Sequence, residues 1–342
     1  MSRLRLAILF LAFASTTSAQ TPTPAAQPAD PPPLRIGPVT LSGYLQVDGL
    51  AVAGDDLEEA NDTFRVRRMR VGLAGDLAPK VGWAFSLEAT GTAHIRDAYI
   101  TLRFVNWANV RFGQFYQPFS LDRLNSTSRL EVIDRAPVTE RIALTRDPGV
   151  MVFNARPFFG WLSYSLDVSN GTGMNVADNN DAKDVTGRLV IAHPLLRGFS
   201  VGVNGSSGEQ RTGTRNRGGI DVSIDKRAFK FVVEGLVEES DGIGPDRDGF
   251  YILGVYRLHP REVTPHFRML EFAARYSSLD DPSGARLETP IRSFIPETTN
   301  EFQFGGNYYV NRNVRFLANA IVPVDDRDVP TATFIARLQI IF

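Results

Sequence analysis

The densest charge in the chain lies at Phe64 to Leu73, FRVRRMRVGL, where Arg65, Arg67, Arg68 and Arg70 crowd into six positions. A guanidinium is charged at every accessible pH, and its planar fork matches carboxylate and phosphate. Such a run can bind anions or tie itself to carboxylates. Alternation fails within it, because Phe64 and Val66 are out of phase with Met69, Val71 and Leu73. A β-bulge between Arg67 and Arg68 restores all five apolar residues to one face. It turns Arg65, Arg68 and Arg70 to the other face and leaves Arg67 at the bulge. Two readings stay open: a cationic wall attracting anions, or salt bridges to Glu88 and Asp97 on the strands that follow.

The second concentration is residues 118–147. It carries Arg123, Arg129, Arg135, Arg141 and Arg146 against Asp122, Glu131, Asp134, Glu140 and Asp147. The charges cancel, and the stretch is too long for a plain connector. It is either a solvated loop or a segment folded into an interior and tied there by its own ion pairs.

Other chemistry is absent or weak. His94, His193, His259 and His266 share no metal-ligand spacing. There is no phosphate-binding glycine loop, nucleophile elbow or dinucleotide fingerprint. Three aspartates within 178–184 permit calcium in principle, without the glycine of an EF-hand loop. With no cysteine, disulfides and thiolate metal sites are excluded. The expectation is no enzyme, no cofactor and no metal. A net charge of −1 gives no sign of a nucleic-acid partner.

The elements that must position these residues are strands. In the terminal stretch Ala332, Phe334, Ala336, Leu338, Ile340 and Phe342 are apolar, while Thr333, Ile335, Arg337, Gln339 and Ile341 are mixed. A period of two marks a strand whose faces meet different surroundings. About 10 residues at ~3.4 Å each, tilted, cross a bilayer's hydrocarbon layer. The same alternation recurs from Val39 onward and gives about sixteen segments. Short connections (76–80, 105–108, 157–160, 194–197, 226–228, 259–265, 311–313) interleave with mostly long ones (50–62, 118–147, 170–183, 205–218, 239–248, 278–297, 323–331). The glycine-rich run Gly202 to Gly208 is expected in one of the long loops. Trp83, Trp107, Trp161, Tyr308 and Tyr309 near strand ends suggest an interfacial girdle. One long-loop end, one short-turn end and an even strand count are the pattern of an all-β antiparallel transmembrane β-barrel. Backbone groups unpaired in hydrocarbon cost several kcal/mol each, so the sheet must close.

Residues 1–19 are expected to be a signal peptide: Arg3 and Arg5, then an apolar core, then Thr17-Ser18-Ala19. Residues 20–38, rich in Pro and Ala, are expected to be an extended linker, and 39–342 the barrel. At 43% hydrophobic residues the chain is too polar for a helical membrane protein.

FRVRRMRVGLAG at 64–75, RDAYI at 96–100, VRFGQFYQPFS at 110–120, Ser126, Asp134-Arg135 and Arg146-Asp147-Pro148-Gly149 resemble the phosphate-selective porins O and P family. The resemblance implies a homotrimeric outer-membrane barrel of sixteen strands, with the third outer loop folded inward and passive, often anion-preferring diffusion. Arg65, Arg68, Arg70 and Arg111 are expected as anion-attracting lining, and Arg123, Arg129, Asp134, Arg135 and Arg141 as constriction-loop residues. Implied partners are outer-membrane lipid, small anionic solutes, two further copies, and the barrel-assembly machinery through the strand ending at Phe342. Family phosphate channels have a lysine-rich entrance. This chain has only Lys80, Lys183, Lys226 and Lys230, so a broader class of small hydrophilic anions is expected, phosphate among them. The alternatives are a non-conducting barrel acting as adhesin or receptor, and an exported soluble β-sandwich.

Overall fold

The computed structural model describes residues 31–53, 62–260, 264, 266–283, 300–324 and 332–342. The expected signal segment 1–19, residues 20–30 of the linker, and parts of the expected connections near 50–62, 259–265, 278–297 and 323–331 lie outside the described residues.

In chain order the elements are β1 (Leu34–Ile36), β2 (Val39–Ala53), β3 (Thr63–Ala78), β4 (Val81–Glu88), β5 (His94–Val105) and β6 (Ala108–Tyr116). Two short helices follow, α1 (Leu121–Leu124) and α2 (Pro137–Ile142). Next come β7 (Arg146–Phe153), β8 (Leu162–Ser169), β9 (Asp184–Ala192), β10 (Phe199–Gln210), β11 (Gly213–Asp225) and β12 (Phe229–Asp241). The last are β13 (Arg247–Leu258), β14 (Met269–Asp280), β15 (Asn300–Tyr309), β16 (Val314–Pro323) and β17 (Ala332–Ile341). From β2 to β17 each strand pairs antiparallel with the next, and β17 pairs back onto β2, Arg337 opposite Asp48 and Ala336 opposite Gly49. Sixteen strands therefore form a closed ring, and β1 adds a short pairing at the start of β2. So the end of the Pro/Ala-rich stretch, expected to be linker, is partly in the sheet.

In the ring the two faces of a strand differ as the alternation predicts. On β17, Phe334 and Ile340 are exposed while Arg337 and Gln339 are buried. In a closed sheet, exposed apolar side chains ring the outside and polar ones turn inward. No described helix is long and apolar enough to cross a membrane.

The arginine strand bulges where its pattern predicts. Gln46 faces Arg68 and Val47 faces Val66, so Arg67 has no opposite number. A second bulge was not foreseen. Ser86 pairs with Asp97 and Leu87 with Ile95, which leaves Arg96 as the extra residue on β5.

Four expectations are corrected. The connection placed at 205–218 is a hairpin whose strands run to Gln210 and restart at Gly213. The Gly202–Gly208 run is thus strand, held by ladders to both β9 and β11. Pairing on both sides overrides the weak strand propensity of Gly, Ser and Asn. Likewise 239–248 shrinks, because β12 reaches Asp241 and β13 starts at Arg247. Tyr309 is not a girdle residue: it is buried on the inner face, and its hydroxyl lies 3.0 Å from Glu271 Oε1.

Candidate functional site

The inner face of β12–β17 and β2 carries, besides polar groups, apolar residues that a water-filled wall has no use for: Val232, Leu236, Leu253, Val255, Leu317, Ile321 and Ile335. They are covered by segment 117–145. Phe119, Val132, Val138 and Ile142 of that segment pack with Val232, Leu236, Tyr251, Leu253 and Val255. Ile133 packs with Leu50, Leu317, Ile321 and Ile335.

Its irregular backbone finds hydrogen bonds mostly from strand side chains, as buried backbone groups must. The Ser128 carbonyl accepts from Gln339 Nε2 at 2.9 Å and Arg315 Nη2 at 3.1 Å. The Glu131 carbonyl accepts from Asn307 at 2.7 Å, and the Asp134 carbonyl from Arg275 Nη1 at 2.7 Å. Ile133 donates its N–H to Asn319 Oδ1 at 3.1 Å and accepts from Arg337 Nη1 at 2.9 Å. At the start, the Glu234 carboxylate takes the N–H groups of Leu121 and Asp122 at 2.6 and 3.1 Å.

Side-chain charges complete the attachment. Asp134 lies 3.7 Å from Arg67 and 3.6 Å from Arg68 on β3, while its own carbonyl is held by Arg275 of β14. Those strands are five steps apart round the ring. One residue reaches both only from the concave side of the cylinder. Glu131 meets Lys230 at 2.7 Å and Arg257 at 3.4 Å, and Arg257 also grips Glu271 at 2.9 Å and Asp225 at 2.7 Å. Arg141 meets Asp281 at 2.6 Å at the far end of β14. Within the segment, Glu140 accepts from Arg123 at 3.0 Å and lies 3.9 Å from Arg135. Burial pushes the Glu140 carboxyl up, but Arg123 and Arg135 outweigh it and hold it below its ordinary range.

The sequence-derived residues distribute as follows. Arg65 pairs with Asp48 at 3.6 Å, and Arg70 with Glu88 at 2.6 Å. Arg70 also donates to Tyr44 Oη and, at 2.9 Å, to Thr127 Oγ1. With Arg68 on Asp134, all three wall arginines have carboxylate partners. Glu88 is one of the two partners foreseen; the other, Asp97, instead takes a bidentate bond from Arg146 at 2.8 and 3.0 Å. Arg135 ties the segment together by donating to the carbonyls of Asp122, Arg123 and Asn125. Arg129 is exposed.

Arg111 differs. It stands on the polar face of β6, its guanidinium 4.1 Å from the Tyr99 ring centre and 5.0 Å from that of Phe153, with a 3.5 Å contact to Thr101 Oγ1. Arg96 was not singled out from sequence. It is 8% exposed and reaches Tyr116 Oη at 3.5 Å. Neither has a carboxylate within ion-pair distance among the described residues. Arg96 escaped notice because the alternation of β5 puts it in phase with Ala98 and Ile100, and only the bulge moves it to the polar side. Arg275, Arg315, Asn307 and Asn319 were missed too. Their one signal was a polar residue in the inward phase, already visible for Arg337 and Gln339. Among the described residues no group of carboxylates and histidines could hold a metal ion.

A closed sixteen-stranded barrel with an apolar exterior and a polar interior is the architecture of a porin, an outer-membrane channel and not an enzyme. Solved structures agree in fold. The OmpF complex of Salmonella typhi with daunomycin superposes with a TM-score of 0.62 at 12% identity, covering 89% of this chain and 98% of that one. The anion-selective porin from Comamonas acidovorans gives 0.58 at 14% identity, over 89% and 99%. OmpT of Vibrio cholerae, in a trimer form, gives 0.55 at 11% identity, over 89% and 99%. No curated protein sequence matches. The family described as phosphate-selective porin O and P matches residues 39–228, more than half the chain, and the protein belongs to it.

Proposed function

We propose that the protein is an outer-membrane diffusion pore for small hydrophilic anions, phosphate among them, narrowed by segment 117–145. The observation that carries the anion preference is the pair Arg96 and Arg111, two guanidiniums on the polar face of β5 and β6 without carboxylate partners among the described residues. A ring of fixed charge beside a pore sets the sign of the permeant ion. Arg65, Arg68 and Arg70 line the same wall with their charges matched, so in this reading they hold shape while Arg96 and Arg111 give the lumen its sign. The narrowing is supported by the contacts that run from β3 to β14 through Asp134. Arg123, Arg135 and Arg141 belong to this constriction as struts.

The same reading takes residues 1–19 as the export signal, 20–38 as a linker whose end pairs as β1, and the Phe342 strand as the handle for the barrel-assembly machinery. It takes the working form as a homotrimer, as in the OmpT trimer form. The test is the reversal potential of purified protein in a planar bilayer under a salt gradient. Anion preference is expected, and Arg96→Glu with Arg111→Glu should move the potential toward cations. Conducting channels with an unmoved potential would overturn the assignment of those residues. No ion-permeable steps, where a control porin conducts, would favour the non-conducting receptor.

A further inference from the structure

The outer wall across β14–β17, β2 and β3 is not a uniform apolar band. Register places Phe64 opposite Gly49, Gly49 opposite Ala336, Ala336 opposite Ala318, Ala318 opposite Gly306, and Gly306 opposite Phe272. Directly opposed residues on adjacent strands are nearest neighbours. Four small residues thus form one trough between two phenylalanines. The hollow there measures about 850 Å³, and a second of about 530 Å³ adjoins it. Beside it stands Phe64, whose side chain is 90% exposed. Across β8–β10 the outward residues are instead mainly aliphatic, among them Leu166, Val168, Val185, Leu189 and Val203.

Two further observations separate this trough from ordinary lipid-facing surface. A Cβ built on Gly306 would meet nothing within 4 Å. The fold itself does not require glycine there, although glycine inside a strand costs roughly 0.5–1 kcal/mol relative to alanine. The wall is also braced from within, where Leu50, Leu317, Ile321 and Ile335 close on Ile133.

We propose that this trough is the contact surface for a second copy of the chain, which inserts its Phe64 there. Lipid chains supply no hydrophobic drive between membrane proteins, so association depends on close packing, which small residues allow. A rigid ring in a rigid hollow gains dispersion contacts that a fluid acyl chain fills less well. Around a threefold axis a cylinder meets its two neighbours along lines about 60° apart. Knob and hollow must then share one stretch of wall, and here both lie within six of the sixteen strands. The inference rests on the homotrimer reading and goes further in naming the residues.

The natural chain contains no cysteine. Phe64→Cys with Ala318→Cys therefore gives a clean test on the folded full-length protein in detergent and in native membranes. Within one barrel the two positions are three strand steps apart, roughly 14 Å at ~4.8 Å per step, beyond the ~7 Å that a disulfide can bridge. A disulfide can form only between copies. Oxidation should give covalent dimers and trimers on a non-reducing gel. Either single variant, with one thiol per chain, can give no covalent trimer and should give little dimer, and Val203→Cys with Ala318→Cys should give neither. Native mass measurement should find Phe64→Ala and Ala318→Phe shifted from trimer to folded monomer, with Val203→Phe unaffected. A trimeric wild type, with no cross-linking of Phe64→Cys/Ala318→Cys and with Phe64→Ala and Ala318→Phe still trimeric, overturns this surface and leaves the homotrimer standing. A wild-type monomer in both environments overturns both and assigns the trough to lipid.

Discussion

The ion pair between Asp48 and Arg337 closes the ring where the last strand meets the first. Its two bonds are 2.6 and 2.9 Å, with both side chains at most 1% exposed. Arg337 also donates to the Ile133 carbonyl, so the seam and the inner segment share one guanidinium. Replacing Asp48 by Ala leaves Arg337 buried without its carboxylate and deprives Arg65, 3.6 Å away, as well. Breaking a buried pair from one side costs about 3–5 kcal/mol, and the contact that Arg65 loses as well places Asp48→Ala near the upper end. Arg337→Met is milder, because Asp48 keeps Arg65. In the double variant the uncompensated Arg337 charge is gone, so it should be less destabilised than the sum of the single variants by about 2–3 kcal/mol. At roughly 2 °C per kcal/mol for a chain of this size, Asp48→Ala should lower the heat-unfolding midpoint in detergent by about 6–10 °C. The midpoint is read from the gel shift between folded and unfolded barrel. Open-channel current should become noisier as the segment loosens. A midpoint within about 2 °C of the natural protein, or strict additivity in the cycle, would refute the claim that this buried pair holds the seam.

Three other outcomes follow from the same contacts. Ile133→Ala empties a site that is fully buried between four aliphatic side chains. It should cost about 2–5 kcal/mol of segment docking and speed limited proteolysis within 117–145, whereas unchanged cleavage would remove Ile133 as an anchor. Gly43→Val should block ring closure, because a Cβ there runs into the Arg70 carbonyl and comes 2.7 Å from the Phe342 ring. Normal yields of heat-modifiable barrel would contradict that. Glu140, held low by Arg123 and Arg135, contributes stability that is fully present above the ordinary carboxylate range near ~4.3 and is lost as pH falls through its own lowered value. Conductance should therefore fluctuate more as pH drops below that range, and Glu140→Gln should show the fluctuation already at neutral pH. An acid response unaltered in Glu140→Gln would point to other carboxylates.

The bulges show what alternation can and cannot reveal. At Arg67 the bulge was legible because apolar residues stand on both sides of the break, and only one extra residue brings Phe64, Val66, Met69 and Val71 to a common face. At Arg96 the flanking pattern looks regular from Asp97 onward, and the bulge exists because β4 pairs as it does. Glycine misled in the other direction: Gly202 to Gly208 has the composition of a turn and the pairing of a strand.

The chain's period of two, its spacing of connections and its terminal apolar phase were sufficient for a closed barrel of about sixteen strands with a polar interior. A bilayer enforces that solution, since every backbone group must pair and every outward side chain must be apolar. The inner arrangement was not so constrained. Whether an arginine meets a carboxylate depends on residues up to 289 positions apart, as with Asp48 and Arg337. Local sequence records which groups are charged. Only closure of the cylinder brings distant strands within reach of one segment, and so decides which charges are matched.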